Sequence, residues 1–313
     1  MTRISWRRLR SGSAALLLAC APALTACAGV VPSAPPVSPA ADTVRVTTFG
    51  DSNTDMAWSA VEPHVRARSY VSDLPPRPQP GVANDPDQLA GLVEARWHAQ
   101  RTSPVRVVNH GISGTTSGGG GHGGADRNRN GAPNARAAVG GVTRFEGEVL
   151  GRGLPWSGGE PAGDAYPSGP ILRVNAYVPG ANDFAYVSIG TNDLADAGMT
   201  AAETLENLGW MVEQWVAAGH AADHIVLTTL PPRQDRDLGD AIPTINAGVR
   251  ALASRTGAGL IDLAAHTSPD DGRTWRDTSM HIGDRLHYTT PVRDWIAGQL
   301  VSYIAARVAA ALP

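Results

Sequence analysis

Serine, histidine and aspartate in one chain can carry out acyl transfer: a hydroxyl attacks a carbonyl, an imidazole takes the proton, and a carboxylate holds that imidazole in one tautomer. Two stretches supply these residue types. Ser52 lies in Gly50-Asp51-Ser52-Asn53-Thr54-Asp55, directly after the strand-like run Val44-Arg45-Val46-Thr47-Thr48-Phe49. It therefore stands at a strand's carboxyl end, where an open parallel sheet gathers ligands because the next helix starts with unpaired N–H groups. The same position suits a helix cap, a common duty of Ser and Thr, and the stretch alone does not choose. Near the other end, Asp284 and His287 stand three apart in Met280-His281-Ile282-Gly283-Asp284-Arg285-Leu286-His287-Tyr288. On one turn of helix-like backbone both side chains face the same way, so the carboxylate can accept from one ring nitrogen while the other faces Ser52. An isolated pair of this spacing is ordinarily an exposed loop charge beside a packing histidine.

The elements that must position these groups alternate between two periods. Apolar, β-branched runs at Val105-Arg106-Val107-Val108-Asn109, Phe184-Ala185-Tyr186-Val187-Ser188-Ile189, Ile225-Val226-Leu227-Thr228-Thr229 and Leu260-Ile261-Asp262-Leu263 predict strands. Helical spacing falls between them, over about 86 to 100 with Leu89, Leu92, Val93 and Trp97 on one face, and over 200 to 218 with Leu205, Leu208, Met211, Val212 and Trp215. Further helices are predicted over 242 to 254 and 291 to 310. Such alternation implies βαβ units and a parallel sheet with right-handed crossovers. The turns His110-Gly111, Gly190-Thr191-Asn192-Asp193 and Gly50-Asp51-Ser52 then fall on one sheet edge. Residues 113 to 170 are the least regular, with glycine at 118 to 121 and a helix-compatible patch over 137 to 150. It reads as an irregular insertion, and a long segment of this kind either counts against a simple domain or points to a functional rim. A Pro-rich surface loop over 74 to 81 admits neither a helix nor a central strand.

Gly50-Asp51-Ser52, Asn109-His110-Gly111, Gly190-Thr191-Asn192-Asp193 and Asp284-Arg285-Leu286-His287 occur in the order and strand context of the SGNH, or GDSL, hydrolases, which the chain resembles from 44 to 310. The resemblance implies a flavodoxin-like three-layer α/β/α fold with a five-stranded parallel sheet of order 2-1-3-4-5, its site at the topological switch. It implies Ser52 as nucleophile, His287 as general base and Asp284 as its orienter. The Ser52 N–H, the Gly111 N–H and the Asn192 side-chain amide would form the oxyanion hole. Asn53 departs from the Leu or Ile that often follows the family's serine, and residues 113 to 170 exceed what a minimal member needs. Both departures concern the pocket.

The 313 residues, 42% of them hydrophobic, suffice for one large core. All 26 basic residues are arginine, which excludes a Ser-Lys dyad. Nucleic-acid binding is not expected, since the formal charge of -3 is spread evenly and no basic stripe is present. Arg3, Arg7, Arg8 and Arg10 precede a short apolar run, as in an export signal. Leu24-Thr25-Ala26-Cys27 resembles a bacterial lipobox, so residues 1 to 26 read as signal peptide and Cys27 as a lipidated first residue of the mature chain. An ordinary signal-peptidase site is the alternative. Losing those four arginines takes the formal charge of -3 to -7. Residues 27 to 41, rich in Pro, Ser and Ala, read as a tether, and 42 to 313 as a single catalytic domain. With Cys20 in the leader, the mature chain has no disulfide.

Other signals are weaker. Asp126-Arg127-Asn128-Arg129-Asn130-Gly131 matches half a calcium loop, but Ala137 stands where a bidentate Glu is required, so a polar turn is the expectation. Ser268-Pro269-Asp270-Asp271-Gly272-Arg273-Thr274-Trp275 resembles an Asp-box hairpin and reads as a turn-stabilising device. His98, His122, His220, His224, His266 and His281 lack a metal-binding spacing, so no metal and no cofactor are expected. Trp210, Trp215 and Trp295 are assigned to the core. Trp58, Trp156 and Trp275 are placed near the site edge, either stacking on substrate or packing inward. Together these features predict an exported, lipid-anchored serine esterase acting on an O-acetyl or short acyl ester of a carbohydrate or envelope component. The alternatives are a lipase or aryl esterase, and a surface binding lipoprotein without turnover.

Overall fold

The computed structural model describes residues 43–55, 86–111, 116–118, 145, 180–196 and 198–310. The stretches read from sequence as leader, tether, 74 to 81 loop and Asp126 turn, together with Cys27, Trp58, Trp156 and nearly all of 113 to 170, lie outside that set.

In chain order the elements are β1 (Val44–Gly50), α1 (Ser52–Asp55), α2 (Leu89–Gln100), β2 (Val105–Gly111), β3 (Asp183–Ser188), α3 (Asp193–Asp196), α4 (Ala201–Ala217), β4 (Ile225–Thr228), α5 (Ala241–Thr256), β5 (Gly259–Ile261), α6 (Leu263–Thr267) and α7 (Thr290–Ala310). The strands form one sheet of order β2-β1-β3-β4-β5, every pair parallel. The order reverses at β1, which lies between β2 and β3. Such a reversal opens a crevice at the strands' carboxyl ends, so the turns leaving β1, β2 and β3 build its walls.

Alternation along each strand sends neighbouring side chains to opposite layers. Val44, Val46, Phe184 and Tyr186 pack with Leu89, Val93 and Trp97 of α2 and with Ile296, Leu300 and Ile304 of α7. Phe49, Ala185 and Val187 pack on the other face with Leu208, Met211 and Trp215 of α4 and Ile245, Val249 and Leu252 of α5. The result is three layers with the sheet buried on both sides, which is why its strands read as nearly continuous apolar runs. Trp215 is core as expected, whereas Trp210 and Trp295 are only partly buried at the edges of the two clusters. Phe145 enters the second cluster, its ring edge-on to Phe49 at 5.4 Å and to Trp215 at 4.6 Å. At least one residue of the irregular segment is thus structural.

Local chemistry sets the boundaries. The helix predicted from 86 starts at Leu89, after an extended Gln88. Thr200 and Glu203 close a reciprocal capping box at the start of α4. Gly257 ends α5 in the left-handed region at φ 79°.

Candidate active site

Register makes the three strand ends level: Gly50 pairs with Gly111 on one side and with Ser188 on the other. Gly50 leaves no room for a side chain, since a Cβ there would collide with the Ser188 carbonyl and the Thr54 side chain. The chain can therefore turn tightly from β1 into α1. Asp51, not Ser52, takes the capping role: its Oδ1 accepts the Asn53 N–H at 2.9 Å. Thr54 ties the same turn to β3 by donating to the Ser188 carbonyl at 3.2 Å. Ser52 is left with its hydroxyl directed elsewhere.

That direction is His287, whose Nε2 lies 2.8 Å from Ser52 Oγ, while its Nδ1 lies 2.6 Å from Asp284 Oδ2. Ser52 and His287, 235 positions apart, are thereby joined with Asp284 in one hydrogen-bonded line. Asp284 and His287 do not share a helical turn. They share a side-chain-capped turn in which Asp284 Oδ1 accepts the N–H of Leu286 and of His287, each at 2.9 Å. Arg285 adopts φ 60°, costly for a residue with a side chain, and it brings the chain round so that both groups meet.

Trp275, placed near the site edge from sequence, and Gln234, which sequence did not single out, brace this turn. The Trp275 indole donates to the Arg285 carbonyl at 3.2 Å, and the Gln234 N–H donates to the same oxygen at 2.9 Å. Trp275 is thus an inward-packed brace, 9% exposed, rather than a platform for substrate. The turn that presents it is closed by Asp270, which accepts the Thr274 N–H at 2.7 Å, and by Ser268, which accepts the Gly272 N–H at 2.8 Å. Tyr288, next to His287, is buried in the core and donates to the Asn53 carbonyl at 3.0 Å. Adjacent residues of one segment therefore contact adjacent residues of the Ser52 turn.

Asn192 lies on the turn after β3 and is buried. Its Oδ1 is 3.2 Å from a guanidinium nitrogen of Arg233. The next residue, Asp193, accepts the Ser117 N–H at 2.7 Å and the Thr204 hydroxyl at 2.7 Å, which pins the turn between α4 and residues 116–118. Gly111 closes β2 level with Gly50, so its backbone lies on the same edge as the Ser52 turn. Among the described residues no group of three or more His, Cys, Asp or Glu side chains converges as a metal site would require.

The carboxylates differ in kind. Partial burial pushes Asp284 up, but the His287 ring and the N–H groups of His287 and Leu286 together outweigh it and hold the carboxyl at about 2. It stays ionised throughout the neutral range. Asp51 is fully buried, and burial raises it from 3.8 to about 6 against the opposing pull of the Asn53 N–H and the proximity of His287. A carboxyl raised in the folded state favours folding below its unfolded pKa and loses that advantage as pH climbs through the folded one. Over about two units the loss is about 3 kcal/mol, complete above pH 6. Asp51→Asn keeps an acceptor for Asn53 without the charge. Its melting temperature is expected to match wild type near pH 4 and to exceed it progressively towards pH 7. Melting curves that stay parallel between those pH values would contradict this account.

The GDSL-like Lipase/Acylhydrolase family model matches residues 48–290. The fold is similar to that of a lipase/acylhydrolase from Enterococcus faecalis, at 18% identity over 84% of this chain and 96% of that one, with a TM-score of 0.51. It is also similar to Est24, a carbohydrate acetylesterase from Sinorhizobium meliloti, at 15% identity over 84% and 99% of the two chains, with a TM-score of 0.50. At such identities the likeness is one of fold. No curated protein matches the chain in sequence.

Proposed function

This chain belongs to the GDSL-like lipase/acylhydrolase family and is a serine hydrolase acting on ester bonds, and from that premise we propose that it works through an acyl-Ser52 intermediate. The observation that carries this reading is the line from Ser52 Oγ through His287 to Asp284, with contacts of 2.8 and 2.6 Å.

In the proposed cycle His287 Nε2 takes the Ser52 proton as Oγ attacks the ester carbonyl carbon. The carbonyl electron pair moves onto oxygen, giving a tetrahedral oxyanion. The donors proposed for that oxygen are the Ser52 N–H, the Gly111 N–H and the Asn192 amide, from the turns at the ends of β1, β2 and β3. The oxyanion collapses, the bond to the alcohol oxygen breaks, and imidazolium returns the proton to the departing alcohol. Water then repeats the sequence on the acyl-serine, releasing the acid and restoring Ser52. Asp284, ionised throughout, holds the Nδ1 proton and stabilises the imidazolium twice per cycle.

The substrate is proposed to be an O-acetyl or short acyl ester on a carbohydrate or cell-envelope component. Supporting this are the leader with its lipobox-like Cys27 and the acidic mature chain, which suit an exported enzyme anchored on the extracytoplasmic side. A panel of p-nitrophenyl esters from acetyl to long-chain, beside acetylated polysaccharides, tests it. Turnover is expected to fall steeply beyond short acyl chains and to include the polysaccharide. Preference for long chains would favour the lipase reading, and no turnover by folded protein the binding reading. Cys27→Ser is expected to release the protein from membranes; retention there would remove the anchor from the proposal.

A further inference from the structure

An amide contributes to an oxyanion hole only when its NH₂ edge faces the oxygen. A side-chain amide rotated by half a turn presents its own carbonyl, which repels the developing charge. Something must therefore set the orientation of Asn192. Arg233 is in contact with it, its side chain only 3% exposed. One guanidinium nitrogen donates to the Thr191 carbonyl at 2.8 Å and to Asn192 Oδ1 at 3.2 Å, both in buried surroundings. The other edge is gripped by Asp235, from Nε at 2.9 Å and from Nη2 at 3.1 Å. A guanidinium has only N–H groups, so the atom that meets it must be the amide oxygen, and the NH₂ edge is turned away.

The backbone that delivers Arg233 is itself fixed. Asn246 of α5 accepts the Leu230 N–H at 2.7 Å and donates to the Leu230 carbonyl at 3.1 Å. Pro231 and Pro232 restrict the two residues between that clamp and Arg233. The following residue, Gln234, braces the Arg285 carbonyl inside the Asp284–His287 turn. One short segment after β4 thus touches both the proposed oxyanion donor and the acid-base pair.

We infer that Arg233 is a positioning residue for the reaction: its guanidinium holds the Asn192 amide with the oxygen inward to Arg233, so that the NH₂ edge serves the oxyanion. The inference rests on the proposed function, since it gives Asn192 that role. Losing an oxyanion donor outright costs roughly 10²- to 10³-fold in kcat. Losing only its orientation is expected to cost less, about 10- to 100-fold, with KM nearly unchanged because the ester carbonyl of the ground state makes little use of the donor.

The test is a double-mutant cycle on the full-length protein with p-nitrophenyl acetate: Arg233→Met, Asn192→Ala and the pair. Arg233→Met should lower kcat in that range with KM within about threefold, and should cost nothing further once Asn192 is alanine. Arg233→Lys, which keeps a charge and a donor without the fork, should recover part of kcat. If Arg233→Met does not fold, the same cycle with Arg233→Lys decides. Losses that multiply in the double variant, or a folded Arg233 variant with wild-type kcat, would overturn the inference and leave the proposed function standing. A wild-type protein that neither hydrolyses esters nor reacts with a fluorophosphonate would remove both.

Discussion

Ser52→Ala is expected to abolish ester hydrolysis, with kcat falling on the order of 10⁴- to 10⁶-fold, the range seen when the nucleophile of a serine hydrolase is removed. Labelling by a fluorophosphonate probe should disappear with it. The magnitude reflects the arrangement: Ser52 Oγ is the atom that His287 Nε2 meets, and without it the imidazole has no proton to accept from a nucleophile on the chain. Folding should survive. Ser52 is the first residue of a one-turn helix whose cap is supplied by Asp51, so its removal spares the hydrogen bond that organises the turn. The direct structural loss is one contact to His287, worth about 1 kcal/mol. Persistent labelling of Ser52→Ala would place the nucleophile elsewhere and defeat the acyl-Ser52 reading. Wild-type protein that folds, hydrolyses nothing and takes no label would instead point to the binding alternative.

The fold is legible in the sequence wherever one local pattern suffices. Each strand of the sheet is a short apolar run ending at a glycine or a polar turn, and each long helix carries a 3.6-residue stripe. Alternation then implies parallel order, and that order implies the shared edge. Ser52, Asn192, Asp284 and His287 are legible as members of blocks. Their supports are not, because each is defined by a contact between distant residues. Nothing near Arg233 in sequence announces that its guanidinium will meet Asn192, 41 residues earlier. Trp275 reads from sequence as a residue of the site edge, open to both an outward and an inward role. Its partner is the carbonyl of a residue whose left-handed backbone no propensity foretells. The turn between Asp284 and His287 shows why spacing predicts their pairing but not their backbone. Three-residue spacing brings side chains together on a helix, but a carboxylate that accepts the next N–H groups along the chain does so as well. Phe145 belongs to the same class, a core residue whose helix-compatible surroundings do not reveal that it packs against Phe49 and Trp215.

Those supports determine what the second large prediction should look like. Asp284→Asn preserves a carbonyl oxygen that can still accept the Leu286 and His287 N–H groups, so the turn and the left-handed Arg285 should be retained and thermal stability little changed. The atom facing His287 Nδ1 changes from an acceptor to an NH₂ donor. Nδ1 must then become the acceptor, which moves the ring proton to Nε2, the nitrogen that has to receive the proton of Ser52. The base is disabled without being displaced, and kcat is expected to fall by about 10⁴ with KM nearly constant. Asp284→Ala should be both inactive and less stable, because it also removes the acceptor for two backbone N–H groups around a strained residue. The comparison separates orientation from scaffolding, a distinction the alanine variant alone cannot draw. It also tests the choice of acid. Asp51 is another carboxylate whose charge is felt at His287, but it is buried, raised to about 6, and accepts the Asn53 N–H. It cannot hold the Nδ1 proton that Asp284 contacts. Were Asp284→Asn to turn over like wild type while Asp51→Asn did not, the orienting role would pass to Asp51, and the 2.6 Å contact at Nδ1 would be structural only.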